Sequence, residues 1–189
     1  MYKYLTEQEL AKKVATAKTI MEKLPQLSPE ETAKKFGGKF KKYVSGGTEM
    51  PYTIQVRIWN PKEGEGIFNE LELREYTSKD KGFHAKGTAG EEWIIPFKNL
   101  HKYTKLDGSP LTEEDLQEEW LTVRRAVNYT YLAQSDEAIV VHDPWGGAYY
   151  CPANSFVACA EGSDGKADPS GCWVINEHIV IGTNKLVVE

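Results

Sequence analysis

The hydrophobic period of this chain changes once, near Pro51, and that change limits what the chain can fold into. Before it, apolar residues recur every three or four positions; after it, they alternate. Tyr52, Ile54, Val56 and Ile58 interleave with Thr53, Gln55 and Arg57, the pattern of a strand with one buried face. Leu71 and Leu73 alternate with Glu70, Glu72 and Arg74 in a second predicted strand, with residues 60–66 as the connecting turn. Trp93-Ile94-Ile95 is a third, stopped by Pro96, and the polar, glycine-containing stretch 77–90 reads as a long loop. A longer strand sets Val123, Arg125, Val127, Tyr129 and Tyr131 on one face, where Arg125 must lie at an edge or find a partner.

The head of the chain reads as helical. Thr6-Glu7-Gln8-Glu9 matches a capping box, and Leu10, Val14, Ala17 and Met21 follow as one apolar stripe until Pro25. Ser28-Pro29-Glu30-Glu31 is a second start, with proline at the first helical position, and Gly37-Gly38 is the expected stop. Thr112-Glu113-Glu114-Asp115 caps a third helix of about two turns, ending near Trp120. Later come a short Phe156-Val157 strand, an acidic loop, and strands at Cys172–Ile175, Ile179–Ile181 and Leu186–Val188. The expected class is α+β with a mostly antiparallel sheet, barrel-like or sandwiched. The expected division is a helical segment over 1–48 and a β-rich body over 49–189 with its short helix near 112–120.

Residues 136–160 (DEAIVVHDPWGGAYYCPANSFVACA) are the most informative stretch. Ala138–Val141 and Ala148–Cys151 are apolar runs joined by Asp143-Pro144-Trp145-Gly146-Gly147, so the unit reads as a β-hairpin. With Pro144–Gly147 as the loop, Asp143 faces Ala148, His142 faces Tyr149 and Val140 faces Cys151. Cys151 and His142 then lie diagonally on one face, about 7 Å apart at Cβ, a candidate nucleophile and base. Against catalysis, a cysteine in an apolar strand usually packs as a small hydrophobe, and no glycine-rich helix start follows it to build an oxyanion hole. Trp145, with Tyr149, Tyr150 and His142 beside it, is the candidate binding surface, since tryptophan and tyrosine dominate interface hot spots. The competing reading folds Trp145 back onto the hairpin. Only one of Tyr149 and Tyr150 can share a face with His142.

The same stretch resembles a short module of small uncharacterised phage and prophage proteins. The residues carrying the resemblance are Asp136, Ile139–Val141, Gly146, Gly147, Tyr150, Cys151 and Phe156. The chain departs from that pattern in Asp143-Pro144-Trp145 and in Ala148, where those proteins tend to have an acidic residue. The resemblance implies a phage or prophage origin and brings no activity with it.

Composition bounds the rest. The 189 residues suffice for a proper core, and 40% hydrophobic with 27% charged residues argues against a disordered chain. The N-terminus lacks an apolar run, so neither a signal peptide nor a membrane span is expected, and a cytoplasmic protein is the default. Three cysteines without a CxxC fit reduced thiols, although Cys159 and Cys172 bracket a loop and would pair if the protein were exported. Residues 1–50 hold ten Lys and six Glu, leaving a strongly acidic remainder within the net charge of −5. An acidic body disfavours nucleic acid as a partner.

Metal and phosphate chemistry find no support. His84, His101, His142 and His178 are scattered, Glu161, Asp164 and Asp168 lack the spacing of a calcium loop, and there is neither GxGxxG nor GKS/T. No metal or cofactor is therefore expected. Lys34, Lys35, Lys39, Lys41 and Lys42 alternate with Phe36, Phe40 and Tyr43. That pattern suits aromatics docked on the body with the lysines in water, or else a basic face for an anionic partner. The expected function is binding rather than catalysis: a phage- or prophage-derived accessory protein whose partner is a host protein, as for an inhibitor of a defence or regulatory system. A cysteine-dependent enzyme using Cys151 and His142 and a minor virion component are the alternatives, and a small-molecule ligand is left open.

Overall fold

The structure, a computed structural model, describes residues 1–188. It is α+β with mostly antiparallel sheets, sandwich-like in arrangement, and none closes into a barrel. The chain divides into two compact units, Met1–Lys18 with Gly46–Val127 and Thr19–Ser45 with Asn128–Glu189, rather than at the boundary expected near residue 48. No helix among the described residues is long and apolar enough to cross a membrane.

Both predicted helix starts form. Thr6 Oγ1 accepts from the Glu9 amide at 3.2 Å while the Glu9 carboxylate accepts from the Thr6 amide, and the helix Glu7–Glu22 follows. Ser28 and Glu31 make the same reciprocal pair at the start of the helix Pro29–Phe36, which Gly37 ends. The segment 1–48 is not helical throughout, because Lys41–Ser45 is a strand.

The first unit is built on a five-stranded antiparallel sheet, ordered Glu92–Ile95, Phe83–Lys86, Thr53–Arg57, Leu121–Arg125 and Tyr103–Lys105. One face buries Ile54, Val56, Phe83, Ala85 and Val123 beneath Leu111 and Leu116. The opposite face is covered as well, by a hairpin whose Ile67 and Tyr76 pack on Ile94 together with Tyr2, Tyr4 and Trp59. Double coverage explains why the expected loop 77–90 instead contains the strand Phe83–Lys86, whose His84 is as buried as its apolar neighbours. The strand expected at Leu71 and Leu73 is a turn. It joins Gly66–Asn69 to Arg74–Thr77, with Asn69 Oδ1 accepting from the Leu71 and Glu72 amides and Leu73 in the left-handed region at φ +52°.

The helix expected to run to Trp120 is a single 3₁₀ turn, Glu113–Asp115. Its capping box is present, but Glu114 O, which would accept from the Glu118 amide in a continuing helix, accepts from Gln117 Nε2 instead, and Leu116 is extended. Gln117 O accepts from the Ile58 amide and Glu118 O from Arg57 Nε. The long strand expected over 123–131 is two strands, Leu121–Arg125 and Asn128–Gln134, one in each unit. Arg125 does find partners: its Nη1 donates to the Lys102 and Ala126 carbonyls, and its guanidinium lies 5.3 Å from the Tyr103 ring centre.

The second unit stacks two sheets. The larger is antiparallel, ordered Ala167–Ile175, Phe156–Glu161, Asn128–Gln134, Lys41–Ser45 and Lys185–Leu186. The smaller pairs Gln26–Leu27 parallel to Ile139–His142, which pairs antiparallel with Ala148–Cys151. Between them Ile139, Val141 and Cys151 meet Val157, Cys159 and Cys172, and Phe36 fills the same core. The strand expected at Ile179–Ile181 is part of a helix, Glu177–Thr183, because Asn176 caps it by accepting from the His178 amide. Val180 thereby reaches Leu132 and Ala158 on the outer face of the larger sheet.

Candidate functional site

The hairpin forms with a register one residue away from the expected one. Ile139 faces Cys151, Val140 faces Tyr150, Val141 faces Tyr149 and His142 faces Ala148. The loop thus runs from Asp143 to Gly147, closed by a 2.9 Å bond from the Asp143 amide to Gly147 O. The Asp143 carboxylate organises it. Oδ1 accepts from the Trp145 amide at 2.8 Å and the Gly147 amide at 2.7 Å, and Oδ2 accepts from the Tyr149 hydroxyl at 2.9 Å. Desolvation would raise this carboxyl, but those donors outweigh it and hold it below the usual carboxylate range. Gly146 turns the chain at φ +94°.

That one-residue shift separates the proposed nucleophile from its base. Directly opposed residues share a face, so Cys151 points with Ile139 into the core while His142 and Tyr150 lie on the other side. Cys151 is fully buried, its thiol directed at Pro152 O at 3.7 Å, and burial pushes its pKa up to about 12. His142 instead places Nε2 2.8 Å from Gln26 Oε1. Gln26 Nε2 donates to the Met21 and Leu24 carbonyls, which leaves Oε1 to accept from the imidazole. The nucleophile–base pairing is corrected on this geometry.

Trp145, in contrast, stands at the loop tip with 80% of its surface exposed. Its ring does not fold into the core; one edge rests against Gly171, where an added Cβ would come within 2.6 Å of Cη2. Tyr149 turns inward towards the core and Tyr150 is half-buried on the face of His142. Of the expected binding set, Trp145 is thus the exposed member, and Asp143, which lay outside that set, fixes its backbone.

Sequence reading also missed a polar and aromatic cluster in the first unit. Arg57 is only 1% exposed, although alternation placed it on a solvent face. Its Nη1 donates to Tyr4 Oη at 2.8 Å and lies 3.1 Å from His84 Nδ1, and its Nε donates to Glu118 O. His84 Nε2 is 2.7 Å from Glu92 Oε1, which also accepts from the Tyr2 hydroxyl at 2.8 Å. Rings of Tyr2, Trp59 and Trp120 lie 4.7–5.3 Å from that of His84.

Arginine only donates, so Nδ1 accepts and Nε2–H donates to Glu92: His84 is neutral. Burial lowers the His84 pKa, against the pull of Glu92. Burial would raise Glu92, but hydrogen bonds from His84 and Tyr2 prevail and lower it. With both ring nitrogens engaged, the His84–Glu92 dyad offers no free base to a substrate. Its signal in the sequence was four aromatics and a histidine spread from Tyr2 to Trp120, which no local window brings together.

The remaining candidates resolve as surface structure. Phe36 is buried, Lys35 pairs with Glu137, and Lys42 with Glu161 at 3.3 Å. In the acidic loop, Asp164 and Asp168 accept from the Lys166 and Ser170 amides. Among the described residues no three His, Cys, Asp or Glu side chains gather so as to hold a metal ion. A groove of about 800 Å³ in the first unit runs between Leu10 and Val14 of the first helix and Glu75, Thr77 and Lys79. No protein-family model, curated protein or solved structure matches this chain.

Proposed function

We propose that the protein acts by binding a partner protein through the Asp143–Gly147 loop, with Trp145 as the anchor. The observation that carries this reading is an 80% exposed tryptophan on a loop whose Trp145 and Gly147 amides both donate to the Asp143 carboxylate, which the Tyr149 hydroxyl anchors in turn. An apolar ring of this size in water has no folding role, and a pre-ordered loop avoids the entropy cost of fixing it on binding. The resemblance of residues 136–160 to phage and prophage modules favours an accessory protein whose partner is a host protein, as for an inhibitor of a defence or regulatory system.

The test is capture from bacterial lysate by the full chain and by Trp145→Ala, followed by titration of the captured protein. Trp145→Ala should weaken binding by about 2 kcal/mol or more, the scale of a hot-spot residue, with unfolding stability nearly unchanged. A large stability loss with unaltered binding would assign Trp145 to the fold and remove this surface.

A further inference from the structure

Cys159 and Cys172 lie on adjacent strands of the larger sheet in the second unit. Their strands pair Phe156 with Ile175, Val157 with Val174 and Ala158 with Trp173. Cys159 and Cys172 come next on the two strands, at the step where the register shifts, and both turn into the core between the sheets. Beyond them Ala160 pairs with Asp168. Pro169, Ser170 and Gly171 therefore bulge out of the ladder next to the cysteine pair.

Both thiols are free and buried, and both belong to the one core cluster between the two sheets of that unit. Ala158 and Trp173, which adjoin the two cysteines, are directly opposed, and such pairs have Cα atoms about 4.5–5.5 Å apart, inside the range of about 4.4–6.8 Å that a disulfide spans. Cys172 Sγ also lies 3.4 Å from Pro169 O, so the pair is tied to the bulge itself. The tip of the bulge, Gly171, is where the Trp145 ring rests.

We propose that Cys159 and Cys172 form a reversible disulfide site, closed by hydrogen peroxide, and that closing it alters the seat of Trp145 on the bulge. The Cys172 sulfur, as thiolate, attacks the peroxide oxygen. The O–O bond breaks, giving a sulfenic acid and hydroxide, which takes up the proton Cys172 released. The Cys159 sulfur then attacks the sulfenic sulfur; the S–O bond breaks and its oxygen leaves as water with the Cys159 proton. The two thiols lose two electrons and the peroxide is reduced to two waters. The order of attack follows from the pairing of the two thiols in one core: the neighbouring Cys159 holds the Cys172 thiol below its ordinary value, while Cys172 and burial raise that of Cys159. Forming the S–S bond removes the Cys172 hydrogen from Pro169 O, so the bulge loses a tether next to Gly171. Burial makes the reaction slow, since the peroxide must enter as the bulge opens.

The dithiol chemistry is independent of what Trp145 binds, and its test needs no partner. The full chain is treated with hydrogen peroxide, denatured, alkylated and digested for mass spectrometry, with and without later dithiothreitol. The expected result is loss of two of the three alkylatable thiols, recovery of a linked Cys159–Cys172 peptide pair, and return of both thiols on reduction. Cys151→Ala should retain the link, and Cys159→Ala and Cys172→Ala should each lose it. Full alkylation of all three cysteines after treatment, or a link that includes Cys151, overturns the site. Tryptophan emission then reads the coupling: oxidation should shift it in the wild-type chain and not in Trp145→Ala. An equal shift in both chains overturns the coupling and leaves the proposed binding role to its own test.

Discussion

Arg57 and His84 show how little a single residue's type says about its place. Both are polar, both sit on strands, and both are buried because a second layer covers the face they occupy. Their network carries a pH dependence whose sign follows from the shifts. His84 has its folded pKa lowered below 6.5. The unfolded chain thus takes up a proton first as pH falls, and stability present above about pH 6.5 is lost towards the lowered folded value. Glu92, also lowered, adds a loss that sets in at more acid pH, below the ordinary carboxylate value. Half-buried Glu72 and buried Glu91, both raised by desolvation, act in the opposite sense. Comparison with His84→Gln isolates the histidine, since an amide can still accept from Arg57 and donate to Glu92. The wild-type unfolding midpoint should fall more steeply than that of His84→Gln between pH 7 and pH 5.5. Equal slopes would show that His84 does not titrate differently in the two states.

At the scale of elements, legibility followed the range of the interactions that set each one. The two capping boxes were readable because all their partners lie within four residues. The helix expected to reach Trp120 stopped after one turn although its box is real, because the Gln117 side chain takes the Glu114 carbonyl and Leu116 turns extended. Ile58 and Arg57, far off in sequence, hold the segment beyond through the carbonyls of Gln117 and Glu118. The hairpin was visible but its register was not. Asp143 belongs to the loop because its carboxylate gathers two amides and a hydroxyl, and this one residue decides that Cys151 and His142 point apart. Trp145 was legible as a loop tip, whereas its seat on Gly171 was not, since that contact joins two hairpins. Gly171→Ala tests the seat. The new methyl would meet the indole edge and push the ring off, shifting tryptophan emission, with a stability cost of about 1 kcal/mol or less as for other surface substitutions. Emission identical to wild type would mean that the ring does not rest there in solution.

For the whole molecule, the decisive fact is that neither compact unit is continuous in sequence; the chain leaves one for the other after Lys18, Ser45 and Val127. A sequence reader places boundaries where composition shifts, and the shift from helix to strand near residue 48 was such a place. Physically, Lys41–Ser45 is an interior strand of the larger sheet, hydrogen-bonded to Asn128–Gln134 on one side and Lys185–Leu186 on the other. Phe36, just before it, is 1% exposed in the core between the two sheets of that unit. Residues 1–18, meanwhile, supply Tyr2 and Tyr4 to the Arg57 network. A fragment comprising 49–189 would lose all three contributions at once. It would expose the edge of Asn128–Gln134, leave a cavity where Phe36 packed, which alone costs about 3–5 kcal/mol for a buried phenylalanine, and strip a buried arginine of its phenol partner. These losses reach the total stability of about 5–15 kcal/mol typical of a folded chain. The fragment should therefore be unfolded or aggregated, with collapsed amide dispersion in its NMR spectrum and no cooperative thermal transition. A dispersed spectrum with a sharp transition would show instead that the body folds without its head, and that the shared strand and the buried phenylalanine contribute far less than their placement implies.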